Sequence, residues 1–341
     1  MNNTIYLLTG AAGFLGSNIS RTLINQGKKV RALVLPNDPA ATQVPSEVEV
    51  VPGNLLDIDS LARFFAVDNG TEIIAIHCAS MVIITDEFSQ KLHDINVGGT
   101  RNILDKCIEH KVKKLVYVSS TSAIPELPHG QKIQEISHFD PNAVIGGYAK
   151  TKAEATQLVL DTAEKNKLDV SIIFPSGIFG PNDYSYGFYA KAIIDIVSEK
   201  MPAGMGGSFN VVDVRDLAET IIACTEHGRK GEGYILSNDI VTFDDIFRLV
   251  AKYTGAKRVK TILPLPLARF FAFFTEIYSK ITKKSMLLTN FIIFNLARNN
   301  SFSSEKAVKE LAYNPRPFET TIKDTVDWLV SEGKINPKKT P

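Results

Sequence analysis

The sequence predicts an α/β protein, a doubly wound parallel sheet joined to a smaller, mostly helical lobe. Three observations lead there. Short, near-continuous Val/Ile/Leu runs alternate with helical patterns through the first two-thirds of the chain, as expected of strands covered on both faces. The first such run passes directly into a glycine-spaced turn, TGAAGFLGSNIS, ahead of a helical stretch. After Pro175 the texture shifts to Gly, Pro and aromatic residues.

Taken in order, the strands are TIYLLTG, KVRALVL, VEVVPGN, EIIAIHCAS, KLVYVSS and DVSIIFPSG. Helices are expected between them at Phe14–Asn25, Ile58–Phe65, Gln90–His110 and Tyr148–Lys165. PSGIFGPNDYSYGFYAKAI suits a loop and short helix over a ligand site. SFNVVDVRDLAETIIACTEH returns to strand and helix, and GEGYILSN adds a further strand. From about Thr242 to Trp328 the pattern is mostly helical, and TFDDIFRLVAKYTG opens on a Thr cap with an acidic residue close behind. These boundaries divide the chain into a core of residues 1–175 and 209–237 and a lobe of residues 176–208 and 238–335. No internal repeat or low-complexity tract is present in the sequence.

Composition narrows the function. The 341 residues are 44% hydrophobic, with 38 basic and 37 acidic side chains, so no general field draws nucleic acid or an anionic membrane. An anionic ligand must be held by a local device. The cysteines Cys78, Cys107 and Cys224 are odd in number and far apart, which suggests a reducing cytosol and offers no metal-ligand spacing. The six histidines are scattered as well, and no metal site is expected. The N-terminus has no secretory pattern, so a cytoplasmic location is expected. ILPLPLARFFAFFTEIYSKI is interrupted by two prolines, Arg269 and Glu276, short of the roughly 18 uncharged residues a membrane span needs. Its cluster Phe270, Phe271, Phe273 and Phe274 reads as a buried helix or a lid over an apolar pocket, with a peripheral membrane contact as the alternative.

The local device is the turn after the first strand. Gly10, Gly13 and Gly16 stand at three-residue steps, with Phe14 and Leu15 opening the helix. Glycine lets the backbone bend tightly and approach a pyrophosphate, whose charge sits at the helix's positive end. Farther along, GGYAKTKAEA places Tyr148 and Lys152 four residues apart, one above the other on a helix face.

The glycine turn and the Tyr148-x-x-x-Lys152 pair together resemble the extended short-chain dehydrogenase/reductases, the NAD-dependent epimerase/dehydratase-like proteins. GNLLD, HCAS, INVGGTRNIL, YVSSTS, FPSGIFGP, VVDVRDLA and FSSEKAVKELAYNPRPFETTIKDTVDWL follow in that family's order. Within it, KVRALVLP, KMPAG and the C-terminal stretch are most similar to the dihydroflavonol-4-reductase-like group. The resemblance implies a Rossmann-type core, a nicotinamide dinucleotide, and a Tyr phenol that exchanges a proton with a substrate oxygen. A free phenol titrates near 10, and a cation one helical turn away is expected to pull it down. Lys152 would also hold the nicotinamide ribose.

Other roles carry over by position. A second donor to the substrate oxygen falls on Thr121, with Ser122 as the alternative, and Asn96 matches a helix Asn that orders the site. Asn54 and Leu55 stand where the family flanks adenine, with Asn in place of Asp. Cys78, Ala79 and Ser80 would line the middle of the cofactor, Cys78 as a packing residue. Pro175 to Ile178 would present backbone groups to the carboxamide. At the end of the second strand Val34 and Leu35 replace both the acid of NAD enzymes and the Arg of NADP enzymes. The missing carboxylate tips the expectation to NADP(H) over NAD(H).

The loop region supplies the substrate expectation. Between Asn182 and Asn210 the cations are Lys191 and Lys200, among Tyr184, Tyr186, Phe188, Tyr189, Met201, Met205 and Phe209. Tyr184, Phe188 and Met201 are the candidate substrate residues, and an apolar or aromatic carbonyl compound is the expected small-molecule partner. The alternative is that these side chains simply pack the lobe. A nucleotide-sugar epimerase holding NAD tightly and a non-catalytic dinucleotide sensor are the rival functions. Family members often dimerise through the helices after the fourth and fifth strands, which implies a homodimer built on residues 90–110 and 148–165.

Overall fold

The computed structural model describes residues 3–83, 89–272 and 289–337. At its centre are seven strands: β1 (Thr4–Thr9), β2 (Lys29–Val34), β3 (Glu49–Pro52), β4 (Glu72–His77), β5 (Lys114–Val118), β6 (Val170–Pro175) and β10 (Gly233–Leu236). They form one sheet in the order β10-β6-β5-β4-β1-β2-β3, every pair parallel. Their runs of Val, Ile and Leu are apolar on both sides because helices cover both faces. Leu7 and Leu8, adjacent on β1, belong to opposite core layers, as the two-residue strand period requires. One layer lies under α2 (Ile58–Phe65), α4 (Gly99–Glu109) and α5 (Gly147–Asn166). The other lies under α1 (Phe14–Asn25) and α7 (Val214–His227). The strand order runs outward in both directions from the β1/β4 pair, and ligands of such sheets bind in the crevice outside the carboxyl ends there.

Gln90–His110, expected as one continuous helix, is interrupted. Residues Gln90–His93 (α3) and α4 flank a π-helical turn at Asp94–Gly98. The wider turn brings Asn96 into the interior, and Gly99 follows where an added Cβ would lie 2.8 Å from that of Leu55.

The second lobe contains more than helices. β7 (Gly177–Phe179) pairs in parallel with β9 (Phe209–Asp213), and β11 (Ile240–Val241) adds antiparallel to β9, so residues 209–213 pair in this small sheet and not in the large one. A two-stranded piece, β8 (Gly204–Met205) with β12 (Ile262–Leu263), lies apart from both sheets. Helices α6 (Phe188–Val197), α8 (Phe243–Thr254) and Phe318–Ser331 enclose a core around Phe247, Ile322 and Leu329. The Thr242 cap of α8 is reciprocal. Its side chain accepts from the Asp245 N–H while the Asp245 carboxylate accepts from the Thr242 N–H.

The phenylalanine cluster departs from the buried-helix expectation. Residues 265–272 are helical, and Ala268 and Ala272 bury against Ile293. Phe270 and Phe271 stand 59% and 43% exposed on the outer side. Two small residues on the inner stripe let the helix seat closely and leave the rings outside. Phe273 and Phe274 lie outside the described residues. Among the described residues no helix is long and apolar enough to cross a membrane, and no group of side chains could hold a metal ion.

Candidate active site

At the carboxyl end of β1 the backbone turns through Gly10 with φ +78°. A Cβ on Gly10 would lie 2.8 Å from the Ala79 nitrogen, and one on Gly16 would lie 2.0 Å from the Gly10 oxygen. The turn is tight enough to exclude side chains at both positions. Gly13 caps α1 in an extended conformation, with no side-chain hydrogen bond at the cap and no acidic residue in the first turn. The first N–H groups of α1 are therefore offered to an external acceptor. Phe14 and Leu15 form the first turn behind them.

The turn is held against β4 by Thr9 and the HCAS stretch at the strand end. His77 is buried with Nδ1 2.7 Å from Thr9 Oγ1 and Nε2 3.1 Å from Thr100 Oγ1. Burial, with the charge of Lys152 adding, pushes its pKa down to about 3, so the ring is a neutral bridge. Thr9 Oγ1 also accepts from the Ala79 N–H at 3.2 Å, and the Cys78 thiol donates to the Thr9 carbonyl at 2.9 Å. Burial pushes the Cys78 thiol up to about 12, the state of a packing residue and not of a nucleophile. Asn54 is exposed with Oδ1 accepting from the Leu56 N–H in its own turn, while Leu55 is buried and its carbonyl accepts from Asn102.

Tyr148 and Lys152 share one face of α5, but they do not interact as the spacing suggested. Lys152 is 2% exposed and turns inward, its Nζ donating to the Val118 carbonyl at 2.8 Å and lying 5.2 Å from the centre of the Tyr117 ring. Burial lowers its pKa to about 8. The expected lowering of the Tyr148 pKa is reversed: burial pushes the phenol up to about 12, offset in part by hydrogen bonds with the hydroxyls of Ser120 and Ser80. Removing water from a phenolate outweighs a cation that faces another direction.

The hydroxyl run after β5 divides its labour. Ser120 reaches Tyr148 and accepts from the Ser122 N–H at 3.1 Å. Thr121 is buried and donates to the Pro175 carbonyl at 3.3 Å. Thr121 and Ser122 both line the cavity that Tyr148 faces. Sequence alone offers Thr121 and Ser122 and misses Ser120, because register along a strand end does not reveal which hydroxyl turns toward the phenol. Asn96 is a brace. It accepts from the Met81 N–H at 2.8 Å and donates to the Met81 carbonyl and Thr151 Oγ1, tying the loop after β4 to α5.

The cavity measures about 290 Å³ and lies between the lobes. Val82, Phe188, Phe209 and Phe291 are among its apolar walls, and Ser176, whose buried hydroxyl has no partner among the described residues, lines it beside Gly177. Of the three candidate substrate residues, Phe188 lines this space; Tyr184 and Met201 do not. The Tyr184 ring packs edge-on against Trp328 at 5.5 Å and lies beneath Arg21, and Met201 packs on the lobe core. Ile178 packs beside the second core layer. Arg298 also lines the cavity, brought there from a distant part of the chain that loop composition could not reveal.

Residues 6–237 match the family described as the NAD dependent epimerase/dehydratase family. The chain belongs to this family. It is 28% identical over 333 residues to sterol demethylase protein B of Methylococcus capsulatus, covering 96% of this chain and 99% of that protein. It is also 28% identical over 334 residues to a putative dihydroflavonol 4-reductase of Synechocystis sp., covering 97% and 96%. The crystal structure of gox2253 superimposes with a TM-score of 0.83 at 30% identity, covering 97% of this chain and 99% of that one. Family membership makes NAD(P) the cofactor class, and a turn where a Cβ on Gly10 or Gly16 would meet backbone, followed by a helix end with no side-chain cap, fits a pyrophosphate.

Proposed function

We propose that the protein is an NAD(P)-dependent carbonyl reductase, an alcohol dehydrogenase in reverse, for an apolar or aromatic ketone or aldehyde. The observation that carries this reading is the Tyr148 phenol, hydrogen-bonded to Ser120 and lining a largely apolar cavity with Thr121 and Ser122. The similarity to a protein described as a reductase supports the same direction.

The bound dinucleotide would supply hydride. Gly10, Gly13 and Gly16 and the N–H groups of α1 would hold its pyrophosphate, Asn54 and Leu55 would flank adenine, and Cys78, Ala79 and Ser80 would line its middle. Pro175 and Ile178 would meet the carboxamide, and Lys152 would hold the ribose. Tyr148 is the general acid. A phenol held near 12 keeps its proton at neutral pH, which is the state reduction requires. Ser120 orients that hydroxyl, Thr121 polarises the substrate oxygen, and Asn96 fixes the distance between α5 and the loop after β4. Aromatic walls exclude water from the reacting oxygen.

NADP(H) is preferred over NAD(H) in this reading, because Val34 and Leu35 place no carboxylate against a 2′-phosphate. Arg31 is not the phosphate ligand, since its Nη1 donates to the carbonyls of Phe64 and Ala66. The nearby Asp38 is occupied in capping the Ala40 N–H. The test is NADPH and NADH oxidation by purified protein against aromatic and aliphatic aldehydes, ketones and UDP-sugars. Turnover of apolar carbonyls, faster with NADPH, is expected. Interconversion of UDP-sugars without added cofactor would replace this reading with the epimerase.

A further inference from the structure

Arg298 is the one charged side chain among the described residues that line the cavity. Among the described residues its buried Nε has no hydrogen-bond partner, and no carboxylate lies within ion-pair distance of it. The charge of Glu126 reaches it, but Glu126 Oε1 is taken by the Asn299 N–H at 2.7 Å. The backbone that carries Arg298 is braced. The Arg298 N–H donates to the Phe294 carbonyl, and its own carbonyl accepts from Asn300 Nδ2. The neighbouring Asn299 Nδ2 donates to the carbonyls of Leu127, Pro128 and Gln131.

A half-buried cation without an ion-pair partner carries a desolvation cost, and that cost falls when an oxyanion arrives with its own charge. The planar fork of Arg suits a carboxylate or phosphate better than it suits a neutral oxygen. Phe188, Phe209 and Phe291 around it would take an apolar body. We propose that the substrate carries an oxyanionic group, a carboxylate or a phosphate, on an apolar frame, and that Arg298 binds this group and so fixes which carbon faces Tyr148. Arg298 is thus a specificity-determining residue, and the proposal rests on reading this cavity as the substrate site.

The test is isothermal titration of the full chain with octanoate, octyl phosphate and octanol, three probes sharing one apolar body. In the wild type at least one anion binds tenfold or more tighter than octanol. Arg298→Met brings all three within about twofold while retaining octanol binding and the unfolding midpoint, and Arg298→Lys keeps part of the preference. Tightest binding of octanoate supports the proposal with a carboxylate as the group, and of octyl phosphate with a phosphate. Equal binding of octanol in the wild type, or an anion preference that survives in Arg298→Met, overturns it. Because the readout is binding, it separates from the reductase reading. Anion binding through Arg298 without any carbonyl turnover would leave this inference standing alone, and turnover indifferent to Arg298 would do the reverse.

Discussion

Tyr148 and Lys152 lie one helical turn apart on α5, and burial acts on them in opposite senses. The phenol is held in its protonated form and the ammonium is weakened from its ordinary 10.5 to about 8. The weakened lysine bears on stability. Between pH 8 and 10.5 the unfolded chain binds a proton that the folded chain has released, so stability rises with pH across that window. Below pH 8 the buried charge costs on the order of 3 kcal/mol, since each tenfold loss of proton affinity corresponds to about 1.4 kcal/mol. Lys152→Met, which also loses the bond to the Val118 carbonyl, is expected to unfold a few degrees above the wild type at pH 7. The gap should narrow by pH 10.5, and carbonyl reduction should fall more than a hundredfold. Thermal unfolding at the two pH values beside an activity assay checks both halves. A midpoint that drops at pH 7 would show that the lost bond to the Val118 carbonyl outweighs the cost of the charge.

At the level of single elements, the turn between β1 and α1 is the most constrained piece of the site. A Cβ on Gly16 would lie 2.0 Å from the Gly10 oxygen, backbone that has no flexible end to yield. Gly16→Ala should weaken NADPH binding at least a hundredfold in a fluorescence titration, with the far-ultraviolet circular dichroism of a folded α/β protein retained. Unchanged affinity would remove the turn from the cofactor site. This turn was legible in the sequence because glycine spacing states a steric requirement directly, and α1 and α2 were legible to the residue. The π turn at Asp94–Gly98 was not. Its residues carry an ordinary helical pattern, and the wider turn is set by what Asn96 reaches, Met81 and Thr151, which only the fold brings near. Ser120 and His77 escaped notice for the same reason. Each owes its role to a partner far away in the chain.

The whole molecule places the Tyr148 phenol from the core on a cavity whose walls come from both lobes. Phe188 and Phe209 arrive on elements that the small sheet organises, and Phe291 and Arg298 arrive from the segment after residue 289. Composition between Asn182 and Asn210 therefore described one wall alone, and it assigned Tyr184 and Met201 to a space they do not touch. The core ties to the lobe through charged pairs as well: Arg316 Nη2 lies 2.6 Å from Asp216 Oδ1, and Arg215 bridges Asp213 and Asp324. The direct measurement is Tyr148→Phe, read for NADPH affinity and for single-turnover reduction of the best apolar carbonyl. Affinity within about twofold of the wild type, with reduction slowed at least a thousandfold, is the predicted result. Reduction proceeding at a comparable rate without the phenolic oxygen would contradict the assignment of Tyr148 as the proton donor.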